Sequence, residues 1–136
     1  MDFMRSIFIA ATGLRAQSSR MRVIAENIAN ANSTAQNSTT DPYRRRVPTF
    51  ATSFDRDLQA TVVSMGRIRS DQSDFTVRNE PGHPAADTSG NVKYPNVNAL
   101  IETVDMREAQ RSYEANLNVI SATRRMIVRT LEILRA

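Results

Sequence analysis

The stretch IFIAATGLRAQSSRMRVIAENI, residues 7–28, decides the fold. Ile7, Leu14, Met21 and Ile28 recur every seven residues, with Met4, Ala11, Ser18 and Ala25 three positions before each. This is the spacing of a narrow coiled-coil seam, widened by Phe3, Ala10 and Ile24. The pattern predicts a helix from Phe3 to Ala31, roughly 40 Å long at 1.5 Å per residue, with Gly13 its one weak link. The helix is expected to stop near Asn30–Asn32, where short amide side chains compete for backbone hydrogen bonds.

The other end of the chain repeats the device. Met106, Tyr113, Ile120, Ile127 and Leu134 keep strict heptad spacing, and Ala109, Leu117, Thr123, Val128 and Leu131 fill in between. Asn98 caps this second helix after the stop at Pro95. Glu102, Asp105 and Glu108 stand near its start and Arg124, Arg125, Arg129 and Arg135 near its end, as the helix dipole favours. Two stripes of matching length invite pairing, and Asn116 beside the second is placed to set register.

Between them lie all five prolines and three of the four glycines, from Pro42 to Pro95. Turn-formers confined to the middle predict short strands there: Tyr43 to Phe50 extended, then Val62 to Arg69, Phe75 to Arg78 and Val92 to Tyr94. Phe50, Phe54, Leu58, Val62 and Met65 also fit a helical stripe, and the reading leans to a short helix followed by a strand. Ala31 to Asp41, rich in Asn, Ser and Thr, reads as a mobile loop. The expected fold is α+β, mainly α, with long N- and C-terminal helices paired as a coiled-coil-like stem and a small irregular β-rich central region. Its parts are residues 1–31, 32–97 and 98–136.

Composition excludes several classes of function. Without cysteine there is no disulfide scaffold, zinc-thiolate site, iron–sulfur cluster or cysteine nucleophile, and the single His83 rules out an all-histidine metal site. No cofactor is expected. The early apolar run Ile7 to Ala11 is too short for a cleavable leader or a bilayer span. The chain carries 18 basic and 14 acidic residues among 136. That excess is spread as +2, +1 and +1 over the three parts, so no basic lobe points to nucleic acid.

The remaining candidates read as structure. Arg44-Arg45-Arg46 cannot form one patch in an extended segment, where alternate side chains face opposite ways; it reads as a strand solvated or ion-paired at an interface. His83, inside Pro81-Gly82-His83-Pro84, has the chemistry of a general base, but the flanking prolines read as a turn. Asp87-Thr88-Ser89-Gly90 lacks the acidic spacing of a calcium loop and reads as a hairpin turn. A two-helix stem buries too few large side chains to order itself alone, so its ends are expected to fray in the dilute chain and settle in an assembly.

Several of these residues together resemble a known family. The Asn27-Ile28-Ala29-Asn30-Ala31-Asn32-Ser33 run after the first helix resembles the Asn-rich signature of bacterial flagellar rod and hook proteins. The centre is similar to proximal-rod members of that family in Pro81-Gly82-His83-Pro84 and in Tyr94-Pro95-Asn96-Val97-Asn98, and Arg111 to Asn116 matches the C-terminal helix. Many relatives have a Gly-Tyr pair soon after the first signature. Here a polar run to Asp41 precedes Pro42-Tyr43, and Asn91 stands where an aromatic residue is common.

The resemblance implies a non-enzymatic subunit of the flagellar basal body, in the rod crossing the periplasm. It implies export through the flagellar type III apparatus and polymerisation into a hollow shaft that transmits torque and passes exported subunits. Implied partners are the chain itself, other rod proteins, and basal-body ring and rod-base adaptor proteins, with no nucleic acid and no direct membrane span. The stem residues expected at subunit interfaces are Ile7, Leu14, Met21, Ile28, Met106, Tyr113, Leu117, Ile120, Ile127, Leu131 and Leu134. A coiled-coil adaptor forming a discrete oligomer is the alternative, with a small enzyme using His83 a more distant one.

Overall fold

The computed structural model describes residues 2–135. Helix α1 spans Phe3–Ala29 and helix α2 Ala99–Arg135, with six short strands between: β1 Arg46–Val47, β2 Phe50–Asp55, β3 Ala60–Met65, β4 Arg69–Ser70, β5 Thr76–Asn79 and β6 Asn91–Tyr94. The two terminal helices pack against each other and the centre is β-rich, as expected.

Both helix starts are capped by side chains. Asp2 Oδ1 accepts from the Arg5 amide (3.1 Å), and Asn98 Oδ1 from the amides of Leu100 (3.0 Å) and Ile101 (3.4 Å). These bonds satisfy donors the first turn leaves free. At the end of α1 the Asn30 side-chain amide donates to the Glu26 carbonyl, and the Ala31 amide turns to Ile28. The expected asparagine stop operates there.

The chain divides into two compact units. One comprises Met1–Met21, Thr49–Arg67 and Arg107–Ala136. Its helices meet through small residues: Ala10, Ala16, Ala109 and Thr123 are buried, and a Cβ on Gly13 would lie 2.9 Å from Asn116 Oδ1. Gly13, expected to weaken α1, is what lets Asn116 lie against it. Arg20 reaches Glu108 at 3.7 Å in the same unit.

The stretch from Phe50 differs from its expected form. Phe50–Asp55 is strand β2, in register with β3 from Phe50↔Met65 to Asp55↔Ala60. The helical stripe fails because Asp55 closes a turn instead, its Oδ1 accepting from the amides of Asp57 and Leu58 while Gln59 adopts φ 49°. The ribbon then keeps its aromatic and β-branched residues in the extended form they favour. β3 stops at Met65, short of the expected Arg69, where the Gly66 amide bonds the Thr49 carbonyl.

The second unit comprises Arg22–Pro48 and Ile68–Met106. Strand β1 pairs with β4, and β5 pairs antiparallel with β6 from Thr76↔Tyr94 to Asn79↔Asn91. Ala85, Val92 and Tyr94 form a small core there with Ala86 against it. Asp87 to Gly90 is the expected turn: Asp87 Oδ1 accepts from the Ser89 and Asn91 amides, and Gly90 sits at φ 79°.

Candidate functional site: a buried asparagine and two bare helix stripes

Asn27 is fully buried and uses every hydrogen bond its side chain can make. Its amide donates to the Arg46 carbonyl (2.8 Å) and to Glu102 Oε2 (3.0 Å). Its carbonyl oxygen accepts from the Tyr43 hydroxyl (2.8 Å) and the Arg46 amide (2.9 Å). The last turns of α1, the segment before β1 and the first turns of α2 thus meet at one side chain. Aspartate has no N–H to donate, and glutamine is a methylene too long.

Glu102, 1% exposed, also accepts from Arg45 Nε at 2.6 Å. Arg45 further approaches Asp71 (3.5 Å) and Asp105 (3.8 Å). Burial alone would lower the Arg45 pKa, but its hydrogen bond and ion pair with Glu102, aided by Asp71 and Asp105, hold it above the ordinary value. The carboxyl of Asp71 is held below its usual range, first by hydrogen bonds from Ser73 and then by Arg45. Asn96 completes the arrangement, accepting from the Arg45 amide (2.8 Å) and donating to the Asp71 and Ser73 carbonyls.

The three arginines therefore part company. Arg44 lies over the Phe75 ring at 4.2 Å, Arg45 turns inward, and Arg46 pairs with Glu26 at 3.1 Å. Each guanidinium finds its partner within the chain.

The central signature residues hold backbone rather than form a reactive cluster. Tyr94 donates to Glu80 (3.1 and 3.2 Å), with Arg78 over its ring. Pro95 is buried, while Asn32, Pro81, Gly82 and Pro84 are exposed. His83 Nδ1 accepts from the Ala85 amide (3.0 Å), and Nε2 lies 3.4 Å from Thr34 Oγ1. Both ring nitrogens are thus occupied in a turn. Among the described residues no group of His, Asp and Glu is placed to hold a metal ion.

The stem residues fall into two sets. Ile7, Leu14, Met21, Ile28, Met106, Tyr113, Ile120 and Ile127 are half-buried. Leu117, Leu131 and Leu134 are exposed, Leu134 to 77%. With them Met4, Phe8, Leu100, Ile101, Val104, Val119 and Ile133 leave large apolar surface bare along both helices. No helix among the described residues is long and apolar enough to cross a membrane.

A family model described as flagella basal body rod protein matches residues 7–35, and one described as flagellar basal body rod FlgEFG protein C-terminal matches residues 88–133. The flagellar basal-body rod protein FlgC of Agrobacterium fabrum is 49% identical over 128 residues, covering 94% of this chain and 92% of its own length. The chain belongs to the FlgC family of flagellar basal-body rod proteins. FlgC proteins of Bacillus subtilis (34% identical, 98% and 99% covered) and Salmonella typhimurium (36%, 90% and 91%) agree. FlgC membership gives the chain a structural role in the rod of the flagellar basal body.

The Asn27–Glu102–Arg45 arrangement escaped sequence reasoning, which treated Glu102 as a partner of the helix dipole. A signal was present. Glu102 stands four positions before Met106, in phase with the apolar stripe, where a charge needs a buried partner.

Proposed function

We propose that this chain polymerises, with other rod proteins, into a hollow helical shaft that transmits motor torque and leaves a bore for exported subunits. The observation that carries the reading is the bare apolar surface on both terminal helices, with Leu117, Leu131 and Leu134 prominent. Isolated soluble proteins seldom leave so many large apolar side chains of two paired helices in water. Repeated head-to-tail contacts that do not close generate a helical polymer, and close-packed long helices resist twisting.

In this reading residues 1–31 and 98–136 form the stem, with Ile7, Leu14, Met21, Ile28, Met106, Tyr113, Leu117, Ile120, Ile127, Leu131 and Leu134 meeting neighbours. Residues 32–97 set contacts between layers. The flagellar type III apparatus exports the chain across the periplasm's inner boundary, and ring and rod-base proteins adjoin it. Nothing in the role calls for a reaction.

Leu117→Asp tests the proposal, because Leu117 is 46% exposed and its charge costs the isolated fold little. Export and helix content should persist while the variant is missing from purified basal bodies. Normal incorporation of the variant refutes the reading, as does a discrete stable oligomer of the dilute native chain, which is how an adaptor would behave.

A further inference from the structure

The segment between α1 and β1 carries chemistry that a purely structural role does not use. The side-chain carbonyl carbon of an asparagine is open to attack by the amide nitrogen of the next residue, and a β-branched follower crowds that approach where a small one leaves it free. Of the ten asparagines in the chain, only Asn32 and Asn37 precede a serine, and none precedes a glycine. Both lie exposed in the polar loop after α1. Asn30 and Asn98 precede alanine, but their side chains are committed at helix ends, Asn30 to the Glu26 carbonyl and Asn98 to the Leu100 amide. The others precede Ile, Glu, Val or Leu.

The two Asn-Ser steps differ in their surroundings. Asn37 Oδ1 accepts from the Thr40 hydroxyl at 2.6 Å and from the Thr39 hydroxyl at 3.2 Å. The hydroxyls that follow Asn32 are turned elsewhere: Ser33 donates to the Asn30 carbonyl (2.9 Å), and Thr34 Oγ1 lies 3.4 Å from His83 Nε2. Two donors on one amide oxygen make its carbon more electrophilic, and they meet the negative charge that grows on the oxygen when a nucleophile adds. Asn37 also borders a cleft of about 190 Å³ with Ser38, Asp87, Asn91 and Lys93, polar and wide enough to supply water.

We propose that Asn37 is a site of self-modification, where the Thr39 and Thr40 hydroxyls promote attack of the Ser38 amide nitrogen on Cγ and the side chain ends as a carboxylate. In the first step the Ser38 N–Cγ bond forms and the Cγ–Nδ2 bond breaks. Ammonia leaves with the proton that Ser38 N gives up, and a five-membered imide ring remains. In the second step one water adds to the ring. Cleavage of the Cγ–N bond yields aspartate, and cleavage of the backbone C–N bond yields isoaspartate, with the main chain rerouted through Cβ and Cγ. Nothing is oxidised or reduced, and water is the one co-reactant. Either product puts a negative charge on the cleft that Lys93 lines, where its ammonium already pairs with Asp41 at 3.2 Å. The proposal concerns one loop of a single chain and stands apart from the rod reading.

The test incubates the purified full chain in warm neutral buffer and follows Asn32 and Asn37 over time by peptide mapping with tandem mass spectrometry, while labelling by an isoaspartyl methyltransferase separates the two products. The same chain unfolded in urea, where both Asn-Ser steps are equally solvated, gives the reference ratio. In the folded chain residue 37 should exchange NH2 for OH faster than residue 32 by about fivefold over that reference, a modest factor because donors exposed to water give only a small part of their worth in a dry site. T39V/T40V removes both hydroxyls at exposed positions, so circular dichroism should be unchanged while the excess at Asn37 disappears. T39S/T40S keeps the donors and should keep the excess. A folded-state ratio no higher than that in urea overturns the proposal. So does an Asn37 rate that T39V/T40V leaves unmoved or raises, since the hydroxyls would then merely hold the loop.

Discussion

Replacing Glu102 tests whether the polar arrangement around Asn27 holds the second unit together. Glu102 is 1% exposed and accepts from Arg45 Nε at 2.6 Å and Asn27 Nδ2 at 3.0 Å. Breaking a buried ion pair on one side costs about 3–5 kcal/mol when the survivor is left unpaired. Arg45 would not be left so, because Asp71 and Asp105 stay within 3.8 Å and its side chain is 22% exposed, which puts this part at the low end. Asn27, with no exposure, would lose one acceptor at about 1–3 kcal/mol. Since the two effects share one carboxylate they do not add fully, and the expected loss for Glu102→Ala is about 3–4 kcal/mol. Glu102→Gln keeps an oxygen for Asn27 and gives up the charge, for about 1–2 kcal/mol. Urea unfolding followed by circular dichroism measures both. A domain of ordinary stability survives the second change even where the first unfolds it. Crossing Glu102→Gln with Arg45→Gln should give a coupling above about 1 kcal/mol. Losses below about 0.5 kcal/mol for both Glu102 variants would show that the arrangement adds nothing to stability, and the reasoning would fall.

Three further outcomes follow from the geometry. Gly13→Ala alone should gain nothing or lose stability, since its Cβ meets Asn116 at 2.9 Å. In an Asn116→Ala background the same change should stabilise by about 0.5–1 kcal/mol through helix propensity, and a thermal-melt double-mutant cycle reads the sign reversal. Gly90→Ala should cost about 1–2 kcal/mol, because φ is 79° and the new Cβ would sit 3.0 Å from Pro81, and a lower urea midpoint records it. Burial lifts the Tyr43 hydroxyl above its usual 10.0, with Glu26 and Glu102 adding to the rise and Arg46 opposing it. The folded chain therefore keeps this proton longer than the unfolded one. Stability is full below about pH 10 and declines as pH rises through the folded value, so unfolding midpoints should show an alkaline decline that Tyr43→Phe makes shallower.

Both helices were legible because their signals are local and redundant. The Asn30 stop and the Asn98 cap act within a few residues of themselves, and the heptad rows run for many turns. The β2 strand was misread because Phe50, Phe54 and Leu58 satisfy a helical period as well as an extended one. The deciding element was the Asp55 turn, whose bonds to Asp57 and Leu58 bring the next strand back alongside. Asn27 was legible as a signature but not as chemistry. Its partners Tyr43, Arg46 and Glu102 come from 16, 19 and 75 residues away, and sequence spacing carries no information about that meeting.

The heptad rows hid one further distinction, which bears on function. On α1 the Ile7, Leu14, Met21, Ile28 row is half-buried, while Ala10, Ala16, Val23, Ile24 and Asn27 are buried. Ala10 and Ile24 lie beside the row that periodicity selects, whereas Ala16, Val23 and Asn27 lie a quarter of a turn or more away from it. Periodicity finds where large apolar residues repeat, and a helix that serves several neighbours repeats them on more than one face. Where Gly13 of α1 meets Asn116 of α2, and at the buried Ala10, Ala16 and Ala109, the chain uses small residues, which let helices pack without consuming the large side chains. The large side chains thereby remain at the flanks and at the free end of α2. A protein whose only task was to close its own stem would gain about 1.5–3 kcal/mol for each Leu or Ile it turned inward. This chain leaves Leu117, Leu131, Ile133 and Leu134 in water instead. In the proposed shaft that stabilisation would become available only when neighbouring subunits cover them, and one surface would then drive both assembly and the ordering of the terminal helices.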